Sequence, residues 1–107
     1  MFEEVTICAA NAYDMKYYLD PSFESLPTPV KQELKAKAVL FTAEHGGIFH
    51  LMIDGDEQVQ VRLEHNADDF SYDAIGAQLK AKEWLQENEE LLSGLVMYRR
   101  IFTQESM

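Results

Sequence analysis

A chain of 107 residues that is 47% apolar and 11% aromatic has the composition of one folded domain, and it is long enough to bury roughly two thirds of the surface its extended form exposes. Nine Lys and Arg against nineteen Asp and Glu, for a formal net charge of −10, put an acidic shell around that core and exclude nucleic acid as a partner, because phosphate neutralisation requires a basic patch. A lone cysteine, Cys8, excludes an internal disulfide, and no run approaches the roughly eighteen apolar residues of a membrane helix; the expectation is a single cytoplasmic domain over residues 1–107 with no membrane partner.

From Phe2 to Ala10, Val5, Ile7 and Ala9 alternate with Glu4, Thr6 and Cys8, which predicts a half-buried strand with the first set inward. The next segment keeps period two through Tyr17 and Leu19 and predicts a second strand over Lys16–Leu19. Asp20-Pro21 then signals a short helical turn, since Asp can cap and Pro is preorganised for the first helical position; Leu26-Pro27 ends it. Thr28-Pro29 repeats the signal, and Val30, Leu34, Ala38 and Phe41 follow at helical spacing until Gly46-Gly47.

Beyond Ile48 the period returns to two, with Phe49, Leu51 and Ile53 before an Asp54-Gly55-Asp56 turn and Val59, Val61 and Leu63 after it. Directly opposed residues of an antiparallel pair share a face, so odd must oppose odd: either Leu51 or Ile53 faces Val59, across a three- or five-residue loop with a bulge near Gly55. Ser71 is placed to cap one long final helix reaching Phe102, with Arg99 and Arg100 complementing its C-terminal dipole. Its weak point is Ser93-Gly94, and Leu95 to Phe102 is apolar enough to form a strand instead. The fold expected is α+β: an antiparallel sheet of about four strands, in strand-strand-helix, strand-strand-helix order, covered by two helices of which the C-terminal one is long.

Apolar residues drift around that final helix. Leu85, Leu92 and Val96 form one stripe, while Trp84, Leu91, Leu95, Tyr98 and Phe102 form another that one buried face cannot absorb. The second stripe is therefore the candidate interface, either with the rest of the domain or with a second copy.

Chemistry-bearing residues are sparse. A three-residue hairpin loop would set His45 opposite His65, with Asp68 and Asp69 following, and imidazole and carboxylate lone pairs suit zinc or another divalent ion. Their spacing matches no ligand motif, so no metal or cofactor is assigned; the four residues stand as candidates for a metal-assisted hydrolytic centre. Asp54, Asp56 and Glu57 crowd one turn without the offsets of a calcium loop. Cys8 in an apolar strand reads as packing, and no nucleophile elbow or phosphate-cradling glycine loop occurs. Tyr13, Tyr17, Tyr18 and Phe23 concentrate aromatic surface early in the chain, and Glu83, Glu87, Glu89 and Glu90 form an acidic series suited to a solvated face or a basic partner.

The run Ala10-Asn11-Ala12-Tyr13-Asp14-Met15-Lys16-Tyr17-Tyr18-Leu19-Asp20-Pro21, with Val39-Leu40-Phe41-Thr42, Gly46-Gly47 and Ile75-Gly76 ahead of Leu79-Lys80, resembles a family of small bacterial proteins built on a domain of unknown function. The resemblance spans nearly the whole chain and implies a single cytoplasmic domain with a long C-terminal helix. It carries over no catalytic residue. The expectation for function is a non-enzymatic interaction or regulatory module, most concretely a homodimer formed through the final helix; a metal-dependent hydrolase and an acidic mimic of nucleic acid that occupies a basic protein are the alternatives.

Overall fold

The computed structural model describes residues 3–105. Four strands, β1 (Val5–Asn11), β2 (Lys16–Leu19), β3 (Ile48–Ile53) and β4 (Val59–Glu64), form one sheet in the order β2-β1-β3-β4 with every neighbouring pair antiparallel. Three helices, α1 (Thr28–His45), α2 (Ala74–Glu87) and α3 (Glu89–Glu105), complete an α+β fold. The class and the four-stranded antiparallel sheet match the sequence pattern. The pair of covering helices does not, because the long final helix is two.

The break falls at Asn88, not at Ser93-Gly94. Asn88 leaves helical geometry (φ −112°, ψ 23°) and is buried, its side-chain amide donating to the Trp84 carbonyl at 2.8 Å while the Lys37 ammonium of α1 donates to its side-chain oxygen. A short amide side chain that satisfies the backbone locally competes with helix continuation. Glu89 and Glu90 then sit in the first turn of α3, next to the positive end of its dipole. Gly94 stays inside α3, so Leu95 to Phe102 is helix. At the other end of α2 the capping carboxylate belongs to Asp73, which accepts from the Gly76 amide at 3.0 Å, and not to Ser71.

Strand β1 is also re-phased. Its pairing with β3 runs Val5 to Ile53 and Thr6 to Met52, then resumes with Cys8 opposite Leu51, leaving Ile7 as an extra residue. Ile7 is buried and Val5 packs on the core as the alternation has them, but past the inserted residue the phase advances, so Cys8 and Ala10 point into the core and Ala9 to the other face. Phe2, where that expectation began the strand, lies outside the described residues.

The β3–β4 hairpin obeys the odd-to-odd rule with Ile53 opposite Val59, the five-residue alternative. Asp54 organises the loop: its carboxylate accepts from the Asp56 and Gln58 amides at 2.9 Å each. The residue with left-handed geometry there is Glu57 (φ 63°), not Gly55.

The core lies between one sheet face and the helices. Leu34, Ala38 and Phe41 of α1, Ala81 and Trp84 of α2, and Leu92 and Leu95 of α3 pack with Cys8, Ala10, Phe49, Leu51 and Ile53. Phe49 sits at its centre, fully enclosed, with ring centroids 5.0 Å from both Phe41 and Trp84. The opposite sheet face is open, carrying Tyr18, Gln60, Arg62 and Glu64.

Gly46 and Gly47 close α1 with φ of 76° and 72°. At Gly47 a Cβ would also meet the Glu64 carbonyl oxygen and the Tyr72 ring at 2.7 Å. Gly47→Ala is therefore expected to lower stability by at least about 2 kcal/mol, read as a fall in the urea midpoint at unchanged m-value.

Candidate interaction surface

Helix α3 is held to the domain by its aromatic and cationic side chains. Tyr98 lies 5.5 Å from the Phe23 ring, donates to the Ser22 carbonyl at 3.2 Å and shares a short contact with the Ser25 hydroxyl. Phe23 is positioned by the 3-10 turn Pro21–Phe23, capped by Asp20 as its sequence signals. Arg100 pairs with Glu57 at 3.0 Å, tying α3 to the hairpin tip, and Arg99 donates to the Glu3 carbonyl.

The five residues of the expected interface consequently divide. Trp84, 8% exposed, and Leu95, 1% exposed, belong to the core of their own chain, and Leu91 and Tyr98 pack partly buried against it. Phe102 alone stays largely in solvent, at 52% exposure, although its ring stacks 4.5 Å from Tyr98. Two residues outside the expected set join it: Met97 (52%) and Ile101 (46%), four apart on the outward side of α3. Gly94, one turn before Met97 and Tyr98, would meet nothing within 4 Å if it carried a Cβ. Sequence reading followed the stripes that begin in α2 and so missed Met97 and Ile101, which lie away from the buried positions Ala81, Trp84, Asn88, Leu92 and Leu95 that continue at three- and four-residue spacing through the break.

The four metal candidates are also separated. With Ile48 opposite Glu64, the strand register does not place His45 across from His65. His45 packs on Phe41 at 4.7 Å between centroids, while His65 stacks on Tyr72 at 4.5 Å and its Nδ1 lies 3.0 Å from the Asn66 carbonyl. Asp69 accepts from the Tyr13 hydroxyl at 2.6 Å and from Ser71 at 2.8 Å, whereas Asp68 is exposed. Among the described residues no three His, Cys, Asp or Glu side chains gather in a group able to hold a metal ion.

What these loops build is a latch. The Tyr13 hydroxyl donates to Asp69 and accepts from the Asn66 amide at 3.0 Å, joining the β1–β2 turn to the segment before α2. Asn11 shapes that turn by accepting from the Tyr13 and Asp14 amides. The hydrogen bonds from Tyr13, then Ser71, hold the Asp69 carboxyl below its ordinary range, and the same carboxylate holds the Tyr13 phenol above its own.

Three further titratable groups lie outside this latch. Burial pushes the Cys8 thiol up to about 11, and burial also raises the neighbouring Tyr17 phenol, whose hydroxyl is enclosed without a well-aligned hydrogen-bond partner. His50 Nε2, on the open sheet face, lies 3.0 Å from Glu64 Oε1, an ion-pair distance but out of line for a hydrogen bond.

The model of a family of unknown function, DUF6145, matches residues 4–107. The chain belongs to that family. No curated protein and no solved structure matches it. The DUF6145 match runs from ahead of β1 to past the end of α3, so the outward stripe, the latch and the core all fall within the family's extent. Membership of DUF6145 assigns no chemistry to any of them. No helix of the described residues is long and apolar enough to cross a membrane.

The latch has a pH signature. Because Asp69 is depressed, its contribution is complete above the unfolded carboxylate value of 3.8 and is lost as pH falls through the lower folded value; because Tyr13 is raised, its contribution is complete below 10.0 and is lost as pH rises through the higher folded value. Tyr13→Phe is expected to lower the urea midpoint at pH 7, with the gap to wild type closing as pH falls through the depressed Asp69 range, below the ordinary carboxylate value. Cys8 is expected to resist iodoacetamide in the native protein at pH 8 and to react fully in denaturant, followed by mass spectrometry.

Proposed function

We propose that this DUF6145 domain is a non-enzymatic interaction module that self-associates through the outward side of α3. The observation that carries the reading is the exposure of Met97 and Ile101 on a helix whose opposite side, Leu92 and Leu95, is already committed to the core, with Phe102 exposed two turns beyond Leu95. Gly94 supports it. A glycine in a helix interior costs about 1 kcal/mol relative to alanine, and no intrachain contact requires one here; close approach of a second backbone is a physical use for it. Charge acts in the opposite sense, since two copies of a chain at −10 repel, so association through an apolar stripe strengthens as salt screens that repulsion.

Sedimentation velocity decides the matter. Wild type is expected to form dimers in the high micromolar range, more so in about 0.5 M salt than in about 0.05 M, and Met97→Glu with Ile101→Asp to remain monomeric with an unchanged fold. Gly94→Ala should weaken the dimer while stabilising the monomeric double variant by about 0.5–1 kcal/mol. A wild-type chain that stays monomeric across this range removes the proposal.

A basic protein partner is a second reading, favoured by the groove of about 520 Å³ at the α2–α3 junction, where Glu33, Glu87, Glu89 and Glu90 converge around Lys37. Capture of such a partner through this groove falls steeply with salt, opposite in sign to the dimer.

A further inference from the structure

We propose that the cleft between α1 and the β1–β2 hairpin is a binding site for a small amphipathic carboxylate, seated with its anionic group toward Lys35 and its apolar body between the sheet edge and the helix. The cleft encloses about 340 Å³ and opens beside β2, an edge strand of the sheet. That volume lies at the lower end of small-molecule sites, which are concave, mainly apolar and provided with a few placed polar groups. Ala10, Tyr17, Val39 and Met15 supply apolar surface, and Met15, 88% exposed with φ of 53°, forms a lip at the hairpin turn.

Charge selects the ligand class. In a chain of net charge −10, no Asp or Glu lines this cleft, while both Lys16 and Lys35 do. Among the described residues, Lys31, Lys37, Lys80, Arg62 and Arg100 each have a carboxylate within 4.0 Å. Lys16, Lys35 and Lys82 have none, so two of the three lysines without a carboxylate partner face one cleft. Lys82 lies beside Ile75 and Leu79 on the outward face of α2, a surface with no opposing wall. The groove between α1 and α2, by contrast, sets Lys37 and Lys80 against Glu44, Glu83 and Glu87.

Lys35 is preplaced. Its ammonium lies 5.9 Å from the centroid of the Tyr17 ring, at the outer limit of a cation–π contact, which restrains a long side chain over the cleft without neutralising it. A carboxylate entering there gains a charge-assisted hydrogen bond, and the hydrocarbon behind it covers Val39 and the alanines of the strand. A neutral molecule of the same shape gains only the second. A dianion such as phosphate gains only the first and leaves the apolar walls wet.

The site is independent of the α3 surface, so the experiment uses the Met97→Glu, Ile101→Asp double variant as well as wild type, and dimer failure does not obscure it. Octanoate, octanol and inorganic phosphate are titrated into 15N-labelled protein at about 0.15 M salt, where long-range screening is strong. The expected result is saturable shifts of the Ala12, Lys16, Lys35 and Val39 amides with octanoate, about tenfold weaker binding of octanol and of phosphate, and about a tenfold loss of octanoate affinity in Lys35→Gln but none in Lys82→Gln. Equal binding of octanoate and octanol, equal loss in the Lys82 control, or shifts with octanoate that never saturate would each overturn the proposal. So would shifts centred on Ile75 and Leu79, which would mark unspecific adsorption to exposed apolar surface.

Discussion

Phe49 is the residue on which the rest of the domain converges. It is the second residue of the third strand, wholly enclosed, in contact with Phe41 of α1 and with Trp84 of α2. Each aromatic pair in such an arrangement contributes about 0.5–1.5 kcal/mol beyond its buried area, and the area itself supplies more. By holding Trp84 against the sheet, the cluster sets where α2 must stop. Helical geometry is then interrupted at Asn88, whose side-chain amide is satisfied by the Trp84 carbonyl and by Lys37, and α3 begins at Glu89.

The buried positions Ala77, Ala81, Trp84, Asn88, Leu92 and Leu95 keep three- and four-residue spacing through this break, so one face of both helices stays on the core. Trp84 and Leu95 are both core, the outward side of α3 carries Met97 and Ile101, and Phe102 is exposed two turns beyond Leu95. Of the stripe expected from the sequence, Phe102 is left exposed, joined by Met97 and Ile101.

Much of the framework was legible in the sequence because the signals are local. Asp20-Pro21 and Thr28-Pro29 place a capped turn and a helix start, Gly46-Gly47 place its end, and the parity of Ile53 and Val59 restricts the hairpin register to two choices. The candidate metal site failed for a reason of the same kind. Its geometry required the three-residue loop, and Asp54 instead organises the five-residue one by accepting two amides across the turn, which leaves His45 packed on Phe41 and His65 stacked on Tyr72. The latch of Tyr13 on Asp69 spans 56 residues and leaves no periodic trace.

By itself the sequence determined the strands, the capped turn at Asp20-Pro21, the span of α1 and the acidic composition, since each depends on side-chain periodicity, on a residue's backbone preference or on simple counting. Tertiary structure alone decided three things: the bulge at Ile7 that turns Cys8 inward, the break at Asn88, and the gathering of Lys16 and Lys35 in one acid-free cleft. Each of these depends on what a distant segment presents, whether Leu51 across the strand, Lys37 from α1 or the packing of a helix over a hairpin. Such partners are set by the closure of the whole core around Phe49, and a one-dimensional pattern carries no distance between them.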